Sequence, residues 1–247
     1  MAQAVFLTGY WRSGTNGTVS ALGKHPDISI YNENSTQAFE NWRLKNLNII
    51  QNICDREAHK IALFKPVCEP YRIEDFLNLG ERFDPHVIYL YREPEKVCKS
   101  GLKNFPNWPT VQRKFLKDFF NSKDVFSQYN ISITNKIRAE LNSIYSTELD
   151  DNSIIVLRWI ISNKFFIENL FAHHPKIFTI SYEMLTEYSE FAFEQICSFL
   201  KIKFDSQLIE DIRPSKRHKF DIQLNKKVKQ AAYSCYRDLN RMASVSI

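Results

Sequence analysis

No C-x-x-C pair occurs among the five cysteines, Cys54, Cys68, Cys98, Cys197 and Cys235. Scattered and odd in number, they argue against a zinc site or a disulfide framework, and buried reduced thiols are the expectation. No run of ~18 apolar residues is present to span a membrane. No low-complexity linker or internal repeat marks a second domain. The excess of positive charge is slight: 33 Lys and Arg against 28 Asp and Glu leave a net +5. That suits a protein handling a small polyanion and is too weak to argue for nucleic acid. The first strand begins almost at once and leaves no room for a secretory leader, so a soluble cytoplasmic protein without membrane insertion is expected.

What is there is a chain of 247 residues, 44% hydrophobic and 14% aromatic. This is enough for one α/β domain over residues 1–247 with a full core. Its most informative stretch is Ala4 to Thr18. Ala4–Leu7 reads as a buried strand, the chain then turns through Gly9, Ser13 and Gly14, and Thr15 to Lys24 reads as a helix. Strand, glycine turn and helix point backbone N–H groups and a positive helix end at a phosphate. Gly9 and Gly14 have the spacing of a Walker A loop, G-x-x-x-x-G-K-[ST]. Thr15 stands where the lysine belongs and Asn16 where the Mg²⁺-binding hydroxyl belongs. Such a loop holds a phosphate but is badly equipped for metal-assisted NTP hydrolysis, and its cation has moved to Arg12.

Further strands are expected at Ile28–Tyr31, Lys60–Val67, Pro85–Tyr91 and Lys176–Ser181. Helices are expected over roughly Thr36–Cys54 with Ser35 as N-cap, Ile73–Leu79, Ile154–Phe171, Phe191–Leu200 and Gln223–Ala243. The fold class is three-layer α/β/α around a mainly parallel sheet of about five strands, P-loop NTPase-like. Pro85–Tyr91 runs into Arg92-Glu-Pro-Glu-Lys-Val-Cys-Lys-Ser100. Pro94 suits the first turn of a helix. A guanidinium and a hydroxyl aimed at one point grip a phosphate; the plain alternative is an arginine paired with Glu93 or Glu95. Asn104–Pro109 is either a substrate lid or a packed connector. His173 and His174 point in different directions, so a metal site there is not expected.

Two of these motifs, Gly9-x-x-Arg12-Ser13-Gly14-Thr15-Asn16 and Arg92-Glu-Pro-x-x-x-x-x-Ser100, in this order, resemble the 5′-phosphosulfate loop and the 3′-phosphate motif of the sulfotransferases that use 3′-phosphoadenosine 5′-phosphosulfate (PAPS). The resemblance implies sulfuryl transfer from PAPS to a hydroxyl or amine, with PAP as product and no metal. The acceptor would be a saccharide or small hydroxylated metabolite. It implies nucleotide contacts from Arg12, Ser13, Gly14, Thr15, Asn16, Gly17 and Thr18, and from Arg92 and Ser100. Tyr182, in a Tyr-Glu-x-Leu segment after the last strand, lies near the 3′-phosphate in this reading. The late basic segment offers Ser215, Lys216 and Arg217 to close over the nucleotide, or is simply an exposed basic turn.

Glu33, just past the second strand, is the implied catalytic base, set against an ordinary solvated glutamate. Lys65, at the end of the third strand, is implied to meet the sulfuryl group, set against a strand-end lysine in solvent. One branch of the family has a histidine base two residues beyond that lysine. Val67 stands there in this chain, so that version of the chemistry is absent and Glu69 is the runner-up base. The competing readings are a P-loop kinase or NTPase acting on Mg·ATP, and a non-catalytic nucleotide-binding relative.

Overall fold

A computed structural model describes residues 1–67, 69–121, 130–169, 171–214 and 222–245. The elements follow in chain order as β1 (Gln3–Gly9), α1 (Thr15–Leu22), β2 (Ile28–Tyr31), β3 (Phe39–Glu40), β4 (Arg43–Leu44) and α2 (Leu47–Arg56). Next come β5 (Ile61–Phe64), α3 (Ile73–Leu77), β6 (His86–Tyr91), α4 (Pro94–Asn104), α5 (Trp108–Phe120), α6 (Ile131–Leu141) and α7 (Asp151–Glu168). The chain ends with β7 (Ile177–Ser181), α8 (Tyr182–Glu187), α9 (Ser189–Phe199) and α10 (Lys226–Val245). It divides into two compact units. One comprises Met1–Tyr91, Ala172–Lys216 and Met242–Ile247, the other Arg92–Phe171 and Arg217–Arg241.

The first unit carries a five-stranded sheet in the order β2-β5-β1-β6-β7, with every neighbouring pair parallel. Parallel strands covered on both faces read as continuous apolar runs. β5 and β6 accordingly bury every residue, and β1 buries all but Gln3. On one face Val5, Leu7, Leu63, Ile88 and Leu90 pack with Val19 and Leu22 of α1 and Phe193 and Ile196 of α9. Phe6, which alternates to the other face, stacks on Phe64 and on Phe76 of α3, with ring centroids 5.5 and 4.4 Å apart. The helix–sheet–helix layering expected from the sequence is present. No described helix is long and apolar enough to cross a membrane.

One expected helix is corrected. Residues 36–46 are not helical; a small antiparallel hairpin, β3–β4, occupies part of the span, and α2 begins only at Leu47, capped by Asn46. The hairpin pairs Glu40 with Arg43 across Asn41 and Trp42, whose φ values are 48° and 66°. Two consecutive left-handed residues are what a two-residue hairpin turn with the right-handed strand twist demands. The spacing of Phe39 and Trp42 that suggested one helical face instead separates a buried residue from one that is 67% exposed.

The second unit is helical. α7, capped by the Asp150 carboxylate at the Ser153 N–H, is its most buried helix. Trp159, within it, has no exposed surface and belongs to the core. A Cβ at Gly101 of α4 would lie 1.4 Å from the Trp108 ring, and Trp108 is buried. Within the stretch from 104 to 109, Trp108 and Pro109 are buried and residues 104–107 are exposed. Cys54, Cys98, Cys197 and Cys235 are free and buried, and burial pushes the Cys54 and Cys98 thiols up to about 12.

Candidate active site

Strand order brings the carboxyl ends of β2, β5 and β1 side by side, which is where ligands sit in parallel α/β sheets. β1 ends at Gly9, where a Cβ would lie 2.1 Å from the Leu90 carbonyl oxygen; only glycine allows β1 and β6 to approach so closely. The chain then turns, with the Ser13 N–H donating to the Tyr10 carbonyl at 3.2 Å. Arg12 adopts a left-handed φ of 66°. Such a conformation costs about 1–3 kcal/mol for a non-glycine residue and persists where its surroundings fix it. Gly14 follows at φ 95°, and the Tyr182 ring leaves no room for a side chain, since a Cβ there would lie 2.2 Å from Cδ2.

Gly14 is the N-cap of α1, and no side chain caps that helix end. The Thr18 N–H and hydroxyl both donate to the Gly14 carbonyl, each at 3.1 Å. The Ser13 hydroxyl is fully buried with no hydrogen-bond partner among the described residues. An uncapped helix N-terminus beside an unsatisfied buried hydroxyl is a site fitted to an anion. Asn16 and Gly17, in the first turn of α1, are exposed residues, and a Cβ at Gly17 would meet nothing within 4 Å.

Glu33 is presented by a turn closed on Asn32. The Asn32 side chain accepts from the Asn34 N–H at 3.0 Å and its carbonyl accepts from the Ser35 N–H at 2.9 Å. Lys65 extends the β5 ladder by one bond, its N–H donating to the Tyr31 carbonyl at 3.0 Å. The Thr8 hydroxyl of β1 donates to the Pro66 carbonyl at 3.0 Å, tying that strand end to the next. The Lys65 side chain is only 6% exposed, and its ammonium contacts both the Glu33 carboxylate and the Asn16 side-chain carbonyl. Lys65 is thus not a solvent-facing strand-end lysine, and Glu33 not a solvated loop glutamate. The sequence had nominated all three residues; their mutual contact it had not indicated.

The runner-up base is tied to structure. Glu69 is 3% exposed. Its carboxylate accepts from the Leu44 N–H at 2.9 Å and pairs with Arg72 at 3.2 Å and Arg43 at 3.5 Å, anchoring the hairpin. Val67 is buried.

Arg92 follows the last residue of β6, and α4 starts two residues later with Pro94 at its first turn. Ser100 lies two turns along α4. Glu93 pairs with Lys96 at 2.9 Å, and Glu95 accepts from the Tyr233 hydroxyl at 3.1 Å and pairs with Lys229 at 3.3 Å. Ser215, Lys216 and Arg217 lie outside the described residues.

A parallel sheet with a glycine turn after its central strand defines a P-loop-like α/β fold. Within that class the sulfotransferase domain profile matches residues 2–238, and the chain belongs to the sulfotransferase family. Among solved structures it is similar to a sulfotransferase from Alicyclobacillus acidocaldarius, at 12% identity and TM-score 0.56 over 99% of this chain and 96% of that one. It is similar to the sulfotransferase domain from the curacin biosynthetic pathway at 13% identity and TM-score 0.59, over 96% and 98%. The mouse sulfotransferase SULT7A1 complexed with PAP aligns at 13% identity and TM-score 0.50, over 98% and 89%. These likenesses are of fold. A search of curated protein sequences finds no significant match.

Proposed function

We propose that this chain moves the sulfuryl group of PAPS to a hydroxyl or amine of a saccharide or small hydroxylated metabolite, without a metal ion, using Glu33 as general base. The observation that carries the reading is the contact of Lys65 with both Glu33 and Asn16, which joins a base, a cation and the first turn of α1. The residues present fit the nucleotide: the buried Ser13 hydroxyl and the uncapped end of α1 ask for an anion. The PAP bound to the structurally similar mouse enzyme points the same way.

PAPS supplies an activated sulfuryl group whose departure leaves charge on the 5′-phosphate. In-line transfer of this kind is governed by position and charge more than by covalent chemistry with the protein. Arg12 and the N–H groups of Gly14 and Thr15 receive the charge that develops on the bridging oxygen. Ser13, Thr15, Asn16, Gly17 and Thr18 hold the 5′-phosphate. Lys65 faces the sulfuryl oxygens, and Glu33 accepts the acceptor's proton. Arg92 and Ser100 hold the 3′-phosphate and so choose PAPS over ATP, and Tyr182 lies alongside the nucleotide. Cytoplasmic location belongs to the same reading.

Labelled PAPS with a panel of saccharides and small alcohols in EDTA tests this, alongside melting temperatures with PAP or Mg·ATP. PAP should stabilise the protein without metal, and label should pass to an acceptor. Glu33→Gln should keep the PAP-induced stabilisation and lose ~10²–10⁴-fold in transfer. Stabilisation by Mg·ATP but not by PAP would support a kinase. PAP binding with no transfer would support a binding module, and full activity in Glu33→Gln would remove that residue from the chemistry.

A further inference from the structure

The position after the threonine of the loop is occupied in Walker loops by a hydroxyl residue that serves a metal ion. Here it is Asn16, and its side chain serves a lysine. The Asn16 carbonyl oxygen accepts from the Lys65 ammonium, which is delivered from the end of a neighbouring strand 49 residues away in sequence. Lys65 has little freedom around this contact. Its side chain is 6% exposed, its own N–H is bound to the Tyr31 carbonyl, and Pro66 beyond it is tied to Thr8. Its other charged contact is Glu33, which the functional reading makes the base. A lysine held by Glu33 alone would follow that carboxylate whenever it turned toward an acceptor. The second contact, on the rigid first turn of α1, registers the ammonium to the phosphate loop.

We infer that Asn16 is a positioning residue that fixes Lys65 against the first turn of α1, so that the cation keeps its place when Glu33 engages the acceptor. The inference rests on the sulfotransferase reading above. An amide suits the task where a hydroxyl does not. Its carbonyl oxygen lies one atom farther from the backbone than a serine hydroxyl and reaches the ammonium, while its NH₂ group remains a donor for the 5′-phosphate. One side chain therefore links the anion held by the loop to the cation brought by β5.

The test compares Asn16→Ala, Asn16→Ser, Lys65→Met and the two double variants. PAP affinity is read by calorimetry, folding by melting temperature, and turnover by hydrolysis of labelled PAPS, which needs no acceptor. In that reaction water adds to sulfur, the sulfur–bridging oxygen bond breaks with its electron pair left on the 5′-phosphate, and both water protons leave to solvent, giving sulfate and PAP. Both Asn16 variants should lose ~10²-fold in kcat, as expected for a misplaced catalytic group. Asn16→Ser, which still carries a donor, should keep PAP affinity closer to wild type than Asn16→Ala does. In the Lys65→Met background the Asn16 substitutions should cost no further turnover.

An undiminished loss in that background, or full turnover in Asn16→Ala, would overturn the inference alone. Equal effects of Ala and Ser on PAP affinity would overturn the donor half of the role. Failure of the wild-type chain to bind PAP would overturn the functional reading and this inference with it.

Discussion

After β1 the chain turns through Arg12 at φ 66° and Gly14 at φ 95°, whereas residues 92–94, which follow β6, include no positive φ. Neither turn leads into a helix that a side chain caps; the first begins beside the buried Ser13 hydroxyl, which has no partner among the described residues. The second leads into a helix begun by Pro94, with Glu93 and Glu95 each engaged in ion pairs or hydrogen bonds. The difference between them is one of backbone strain, stored at Arg12 in the first turn and absent from the second. Backbone strain is tolerated where the surroundings, a ligand among them, fix it. A relaxed, proline-started turn suffices to hold a group that does not react. In the proposed function the strained loop after β1 is the one that would meet the changing charge, and the turn after β6 the one that would serve static recognition.

The sharpest way to break that contrast is Arg12→Ala. Loss of a group that meets charge developing in the transition state costs on the order of 10²–10³ in kcat. Steady-state turnover of labelled PAPS should fall by at least that much. A change confined to KM would make Arg12 a mere binding group and erase the distinction between the turns. Arg92→Ala should do the reverse. A hydrogen bond to a charged group is worth ~1.5–3 kcal/mol, so PAP affinity should drop by roughly 10–10²-fold. Adenosine 5′-phosphosulfate, which lacks the 3′-phosphate, should bind the variant almost as it binds the wild type. Equal losses for both ligands would place Arg92 away from the 3′-phosphate.

Both turns were legible in the sequence because their chemistry is local. A glycine that must pass within 2.1 Å (Cβ to oxygen) of a carbonyl, a glycine at positive φ and a proline at a helix start each leave a single-residue mark. The strands were legible because a fully covered parallel sheet writes its core as contiguous apolar runs. The β3–β4 hairpin was not. Its turn is made by Asn41, which favours positive φ, and by Trp42, which does not, and a two-residue strand leaves no alternation to read. The meeting of Asn16, Glu33 and Lys65 was hidden for another reason. It follows from β5 lying between β2 and β1, a consequence of sheet order that no local pattern encodes. The anchoring of Glu69 was hidden likewise, since its partners Arg43 and Leu44 lie in the hairpin that the periodicity missed.

The smallest effect sharpens the comparison most finely, because it separates stability from binding at a single atom. The Ser13 hydroxyl is buried and without a partner among the described residues. A buried polar group left unsatisfied costs about 1–3 kcal/mol, so removing it relieves the folded chain. Ser13→Ala should therefore melt at the wild-type temperature or above it. If a phosphate oxygen completes that hydroxyl in the complex, the same variant should bind PAP roughly tenfold more weakly, the low end for a hydrogen bond to a charged group. A buried serine acting only as filler would lower neither quantity. A serine essential to the fold would lower the melting temperature first. Opposite signs for stability and affinity in one variant would mark the loop after β1 as built for its ligand at the expense of the empty state.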